Sequence, residues 1–339
     1  MPQPQLSLET IWSFNEKQLL NLIETLAFTP KPKPIHFYAP SFTYYKTKYF
    51  CSSTTEFPTI SITGKACALN CKHCGGKVLE AMHPAPSPQE LFELCVKLKH
   101  DGAQGCLISG GCLPDGSVPL DGFVDVLGRV KRELGLTVFV HTGIINLKTA
   151  VSLKQAGVDA ALIDVIGSNE TIKKIYNLKG SSTDYADSLQ ALDKAELDFV
   201  PHVIVGLNEG KLDGELEALK MIKKVKPSAL VIIAFMPIHG TAMSKTMPPK
   251  SSDIAKVTLA ARLMFPEIPL VLGCMRPKGA ARAETDVLAL KVGIDAVAFP
   301  SEEAIKYAQN QNFQISFSSY CCAQMYLDTK TCEKQSGQP

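Results

Sequence analysis

Short runs rich in Val, Ile and Leu recur along this chain, each followed by a stretch with apolar residues at helical spacing. This alternation constrains the fold more than any other feature. The expected strands lie at 59–63, 105–109, 137–141, 161–166, 200–205, 230–235, 270–274 and 296–299. Helices are expected between them, at 88–100, 121–134, 147–156, 188–195, 214–224, 252–265 and 282–292. A strand that returns through a helix to a neighbouring strand runs parallel to it. Eight such units in order predict a closed α/β barrel of the TIM type, (β/α)8, ringed by helices. In such a barrel the functional groups sit on the loops leaving the C-terminal strand ends.

The ends of the chain depart from this pattern, which divides it into 1–56, 57–308 and 309–339. Residues 7–27 carry helical spacing, and Pro30, Pro32 and Pro34 stop that helix. The segment 36–51 holds Phe37, Tyr38, Phe42, Tyr44, Tyr45, Tyr49 and Phe50. It reads as an extended arm or small hairpin, packed on the barrel or covering its mouth. The tail carries Cys321, Cys322 and Cys332. A net charge of +2 supplies no basic field, so no nucleic-acid partner is expected. No run is long and apolar enough to cross a membrane, and the start lacks the basic-then-apolar pattern of a signal peptide. A cytoplasmic protein without a membrane partner is expected, and its 11 cysteines then point to metal ligation rather than disulfides.

Three of those cysteines share one loop after the first barrel strand: Cys67, Cys71 and Cys74, in Cys67-Ala68-Leu69-Asn70-Cys71-Lys72-His73-Cys74. Three thiolates on a compact loop can hold three corners of a cubane iron–sulfur cluster and leave the fourth iron open. A zinc knuckle is the competing reading, and it needs a fourth ligand from elsewhere. The loop belongs at the C-terminal end of the barrel, where chemistry is expected.

The C-x3-C-x2-C spacing, with His73 before the last cysteine, resembles the signature of the radical S-adenosylmethionine (SAM) superfamily. That resemblance implies a [4Fe–4S] cluster on Cys67, Cys71 and Cys74 whose open iron chelates SAM. Further segments are similar to superfamily elements around SAM. Ser109-Gly110-Gly111 resembles the Gly-Gly-Glu segment that holds the SAM amino group, with Cys112 in place of the acid. His202-Val203-Ile204-Val205-Gly206-Leu207-Asn208-Glu209 resembles G-x-I-x-G-x-x-E; Ile204, Gly206 and Glu209 match, and His202 replaces the first glycine. The turn opening at Met236-Pro237 is similar to one that frames adenine in biotin synthase-like enzymes. Asp164 is a candidate for the SAM ribose hydroxyls or for a helix cap, and His141 and Thr142 are expected to line the cavity. By alternation Arg276 shares a face with Cys274, and it is expected to bind a carboxylate, of SAM or of a neighbouring residue. Cys95 and Cys106 are assigned to packing.

The resemblance is strongest to the biotin synthase-like branch, and within it to the paired, two-subunit lipoyl synthases of archaea. Ser318-Ser319-Tyr320 is similar to the C-terminal motif of lipoyl synthases, with Phe317 where their arginine stands. A second, auxiliary [4Fe–4S] cluster is expected on some or all of Cys51, Cys321, Cys322 and Cys332, with Cys112 or Cys274 as substitutes. The resemblance implies sulfur insertion into an octanoyl chain on a lipoyl-carrier protein or peptide. The expected partners are SAM, that carrier, a second radical SAM subunit and an electron donor such as ferredoxin or flavodoxin. Biotin synthase, mutase and maturase activities are the alternatives within the branch. A metal-binding scaffold without catalysis is the alternative outside it.

Overall fold

The computed structural model describes residues 7–26 and 34–329; Cys332 lies outside them. Eleven strands form one sheet, and every pairing in it is parallel. They are β1 (Pro34–Tyr38), β2 (Thr59–Ser61), β3 (His83–Pro84), β4 (Gly105–Ser109), β5 (Thr137–His141), β6 (Ala160–Asp164), β7 (Phe199–Val205), β8 (Leu230–Ala234), β9 (Leu270–Leu272), β10 (Ala296–Ala298) and β11 (Gln314–Ser318). The spatial order is β11-β1-β10-β9-β8-β7-β6-β5-β4-β2-β3. The strands read from the alternation are β2 and β4 to β10, and they lie side by side in chain order. The architecture is a curled half-barrel of the TIM type with helices on its outer face.

Closure differs from the expectation. Among the described residues β2 and β10 do not pair; β1 takes the free edge of β10, and β11 pairs outside β1. The arm therefore contributes a parallel strand, β1, followed by a small antiparallel hairpin in which Lys46 bridges Cys51 and Ser52 N–H donates to the Tyr45 carbonyl at 2.9 Å. Residues 39–56 run from the C-terminal end of β1, where the Tyr45 hydroxyl donates to the Pro300 carbonyl at 2.6 Å. They end where Glu56 accepts from the Gln104 amide just before β4. This path follows the seam between the two ends of the sheet. Ser53 N–H donates to Ser319 Oγ at 2.9 Å, and Phe57 lies against Tyr320. The Phe42 and Tyr45 rings pack on Phe299, just past the C-terminal end of β10.

The helices are α1 (Leu8–Ser13), α2 (Glu16–Thr25), α3 (Pro88–His100), α4 (Val124–Arg129), α5 (Leu147–Gln155), α6 (Asn169–Ile175), α7 (Ser182–Lys194), α8 (Glu215–Ile222), α9 (Ser251–Met264), α10 (Ala280–Val292) and α11 (Glu302–Asn310). The helix expected at 7–27 is two helices, because Asn15 starts a new one through a reciprocal capping box with Gln18. Ile11, Leu19 and Ile23 of this pair pack on Ala255, Leu259, Leu288 and Val292 of α9 and α10.

Alternation along each strand separates two apolar regions. Ile108, Val140, Ile163, Val203 and Ile232 face the helices. Phe139, Leu162, Val200 and Val231 face inward. The tail completes the inner region: Cys322, Ala323, Met325 and Tyr326 are buried in it. The Tyr326 hydroxyl donates to the Asp159 carbonyl at 2.7 Å, and the Tyr38 hydroxyl donates to Asp328. No described helix is long and apolar enough to cross a membrane.

Candidate active site

The cysteine loop follows β2 and is held from several sides. Ala68 N–H donates to the Cys112 carbonyl at 2.8 Å, and Lys72 N–H to the Ile175 carbonyl at the end of α6 at 2.9 Å. Asn177 donates to the Asn70 carbonyl at 3.2 Å, and the His73 ring lies 5.2 Å from that of Tyr176. From the turn after β8, Met243 N–H donates to the Lys72 carbonyl. Gly75, at φ 51°, makes the tight bend after Cys74 that a side chain would strain. The loop thus spans the C-terminal ends of β4, β6 and β8.

Within it, Cys71 is buried and Cys67 and Cys74 are half-buried. The Cys71 thiol donates to Cys74, which holds Cys74 down and pushes Cys71 up. A bound iron–sulfur cluster would take these cysteines as thiolates. Three sulfur donors on one loop fit a cubane with one open iron. His73 is half-buried, and its Nδ1 has no hydrogen-bond partner among the described residues.

Ser109-Gly110-Gly111 lies directly against this loop. Gly111 N–H donates to Thr63 Oγ1 at 2.7 Å. A Cβ on Gly111 would stand 2.0 Å from the Ala66 carbonyl oxygen and 2.6 Å from Cys67 Cα. This close approach is the physical reason for glycine here. Cys112 is half-buried beside Cys67, and burial raises its thiol to about 12.

Ile204 is half-exposed near the C-terminal end of β7. Gly206 has φ 72°, and a Cβ there would meet Pro249 at 2.7 Å. Glu209 is exposed and pairs with Lys174 at 2.7 Å. Met236 is half-buried where β8 ends, and the turn behind it brings Thr241 toward Gly75.

Arg276 meets the neighbour's carboxylate of the two alternatives. It is 0% exposed, and its Nε donates to Asp286 at 2.7 Å. Its other donors reach the Gly273 and Phe299 carbonyls. No face of the guanidinium is left for SAM.

The auxiliary candidates separate. Cys51 is exposed, with Sγ 3.8 Å from the Tyr44 hydroxyl, on a groove of about 680 Å³ shared with residues 318–320 of the tail. Cys321 and buried Cys322 enter the inner region near Cys274, whose thiol is pushed up to about 12 by burial and then by Cys322. Arg276 and Arg282 oppose that rise. Cys95 and Cys106 are buried, and the Cys106 thiol bonds to that of Cys95, as assigned to packing.

Two features escaped the sequence reading. Asp164 gathers His141 and His202 rather than capping a helix. His141 Nε2 is 3.6 Å from Asp164, and the two imidazole centroids are 5.8 Å apart. Burial works against the Asp164 charge, but His141 holds the carboxylate below its usual range. Burial lowers His202 to about 4. The second is Glu215, at the start of α8, whose carboxylate accepts from Gly206 N–H at 2.8 Å and Asp213 N–H at 2.7 Å. Burial raises it to about 7. A glutamate in the first turn of a helix reads as an ordinary dipole partner, so no sequence signal singled it out.

Comparison with known proteins bears on the family of this chain. A family model described as the Radical SAM superfamily matches residues 61–233, about half of the chain. A biotin synthase of Leptospira biflexa is 26% identical over 216 residues, 62% of this chain and 60% of that protein. The chain thus spans less than two thirds of that relative. A biotin synthase of Prochlorococcus marinus is 23% identical over 292 residues, 81% of this chain and 82% of that protein. Among solved structures, methylornithine synthase (PylB) superposes with TM-score 0.61 at 13% identity, covering 96% of both chains. The [FeFe]-hydrogenase maturase HydG of Carboxydothermus hydrogenoformans gives 0.60 at 14% identity, covering 95% of this chain and 78% of that one. At such identities the structures speak for the fold, while the family match speaks for the cysteine loop and the strands around it. This chain therefore belongs to the radical SAM superfamily.

Proposed function

We propose that the chain inserts sulfur into an unactivated C–H position of a carrier-bound octanoyl group, as one subunit of a two-component lipoyl synthase. When bound, the [4Fe–4S] cluster and SAM supply a 5′-deoxyadenosyl radical able to take hydrogen from an aliphatic carbon. The chain's own residues hold and shield that chemistry. Cys67, Cys71 and Cys74 hold the cluster, Ser109-Gly110-Gly111 offers backbone close to it, and Ile204, Gly206 and Met236 form the SAM side of the mouth. Arm and tail close the seam and exclude water.

The observation that carries the sulfur-insertion reading is the tail. Cys321 and Cys322 are folded back beside Cys274 inside the half-barrel, although a packed core has no need of adjacent thiols. An auxiliary iron–sulfur cluster on these cysteines, joined by Cys332 beyond the described residues, would supply the sulfur in this reading, while Cys51 lies apart on the groove.

The test is anaerobic reconstitution followed by turnover with SAM, dithionite and an octanoylated carrier peptide. Iron near eight per chain, 5′-deoxyadenosine and a product heavier by one sulfur support the proposal; two cubane clusters account for that iron. Iron near four with deoxyadenosine and no thiolated product redirects the assignment to a mutase- or maturase-type reaction. No deoxyadenosine from fully loaded protein favours a scaffold.

A further inference from the structure

Three adjacent strands carry inward side chains that the cysteine loop does not use. His141 ends β5, Asp164 ends β6, and His202 lies on β7 opposite Asp164 in register. His141 is in register with Leu162, two residues before Asp164, so the stagger of the strands brings all three side chains together. One donor atom from each lies within 4.8 Å of the other two.

The donor set is two imidazoles and one carboxylate, which suits a divalent transition ion of the zinc class. Bonds of about 2.0–2.1 Å in a tetrahedral site space the ligands about 3.3 Å apart. The His141–Asp164 separation of 3.6 Å is already near this. His202 is also oriented for it. Its Nδ1 lies 3.0 Å from the Val200 carbonyl. A carbonyl only accepts, so Nδ1 carries the proton and Nε2 keeps its lone pair. A backbone carbonyl fixing the tautomer in this way is a regular companion of metal-bound histidine. Nε2 takes part in no hydrogen bond among the described residues. An ion pair between His141 and Asp164 would not explain His202, which is more than nine-tenths buried.

The floor beneath the three is apolar. Phe139, Leu162 and Val200, two residues earlier on the same strands, are buried in the inner region. Coordination positions left by three protein ligands therefore open toward the mouth.

We propose that His141, Asp164 and His202 bind one divalent transition-metal ion, whose open positions take a carboxylate or hydroxyl oxygen of the molecule held at the mouth. Asp164 then serves the ion, and a ribose hydroxyl reaches it only as a further ligand of that ion. The site is independent of the sulfur-insertion reading.

The test uses the cluster-loaded protein, washed with a chelator, given one equivalent of zinc sulfate and desalted. Zinc is counted by mass spectrometry, and its ligands are read by zinc-edge X-ray absorption. The expected result is about one zinc per chain with a nitrogen and oxygen shell at about 2.0–2.1 Å. His141→Gln and Asp164→Asn should weaken retention about tenfold or more, since disturbing even an outer partner of a ligand does so. The Cys321→Ala/Cys322→Ala double variant should retain it. Unchanged iron content and thermal midpoint in His141→Gln and Asp164→Asn separate loss of the site from loss of the fold. Should His202→Ala fail to fold, the half-buried His141→Gln still decides the matter. No retained zinc in the parent protein, a sulfur shell near 2.3 Å, or zinc retained by His141→Gln would overturn the proposal.

Discussion

Replacing Gly111 by alanine adds a single methyl group where the structure has no room for one. Gly111 does not have a positive φ, so the backbone itself tolerates alanine and the whole effect is steric. The new Cβ would lie 2.0 Å from the Ala66 carbonyl oxygen and 2.6 Å from both Cα and Cβ of Cys67. Ordinary contacts begin near 3.4 Å, so the two segments must part by more than an ångström. Two of the three obstructing atoms are backbone, and no rotamer change relieves them. Overpacking of this kind costs about 1–3 kcal/mol, and this case belongs at the upper end. Unfolding entropy of about 2.1 cal/mol/K per residue over 339 residues converts 3 kcal/mol into a fall of about 4 °C in Tm. The larger consequence is chemical, because the displaced atoms belong to Cys67, the first of the three cysteines proposed to hold the cluster. Reconstituted Gly111→Ala should lose most of the loop's cluster, read as iron content and visible absorbance, and SAM cleavage should fall with it. Gly122→Ala is the control, since a Cβ there meets nothing within 4 Å. Full cluster content with a Tm within about 1 °C of the parent protein would refute the steric account.

Other outcomes follow from the same geometry. Cys71→Ala should remove about four irons per chain, one cubane cluster, and all SAM cleavage, whereas Cys51→Ala should leave SAM cleavage intact. Glu215 is raised to about 7 by burial. The folded state therefore binds a proton that the unfolded chain has released, and stability should decline from about pH 4.5 to 7, by about 1.4 kcal/mol per unit of raised pKa. Denaturant titrations across that range should show a flatter profile for Glu215→Gln; an equally steep one assigns the slope elsewhere. Asp286→Ala strands the buried Arg276 guanidinium and should cost about 3–5 kcal/mol, while Arg276→Met/Asp286→Leu should recover most of it. Thermal unfolding of the two variants decides this, and an equal loss in both would sink the ion-pair argument.

The cysteine loop was legible because its information is local. Three thiols separated by three and two residues can wrap one cluster whatever the rest of the chain does. Gly206, with Ile204 beside it, was legible for a similar reason: a short motif on a strand end carries its own geometry. Arg276 was less so. Alternation placed it on one face of an extended segment, but α10, arriving later in the chain, supplied the carboxylate that occupies it.

What the chain's own pattern determined is the order of strands and helices, their parallel sense and the position of the cysteines at one end of the half-barrel. Those follow from periodicity and from the restricted handedness of crossovers, which act over neighbouring segments. Tertiary structure alone decided that β1 enters between β10 and β11 and that the tail folds inside the sheet. It also decided that His141, Asp164 and His202 converge. The reason is that strands of a parallel sheet are apolar on both faces, so the sequence does not mark which side faces inward. Three side chains from three strands become one site only when pairing register and curl bring them to the same level.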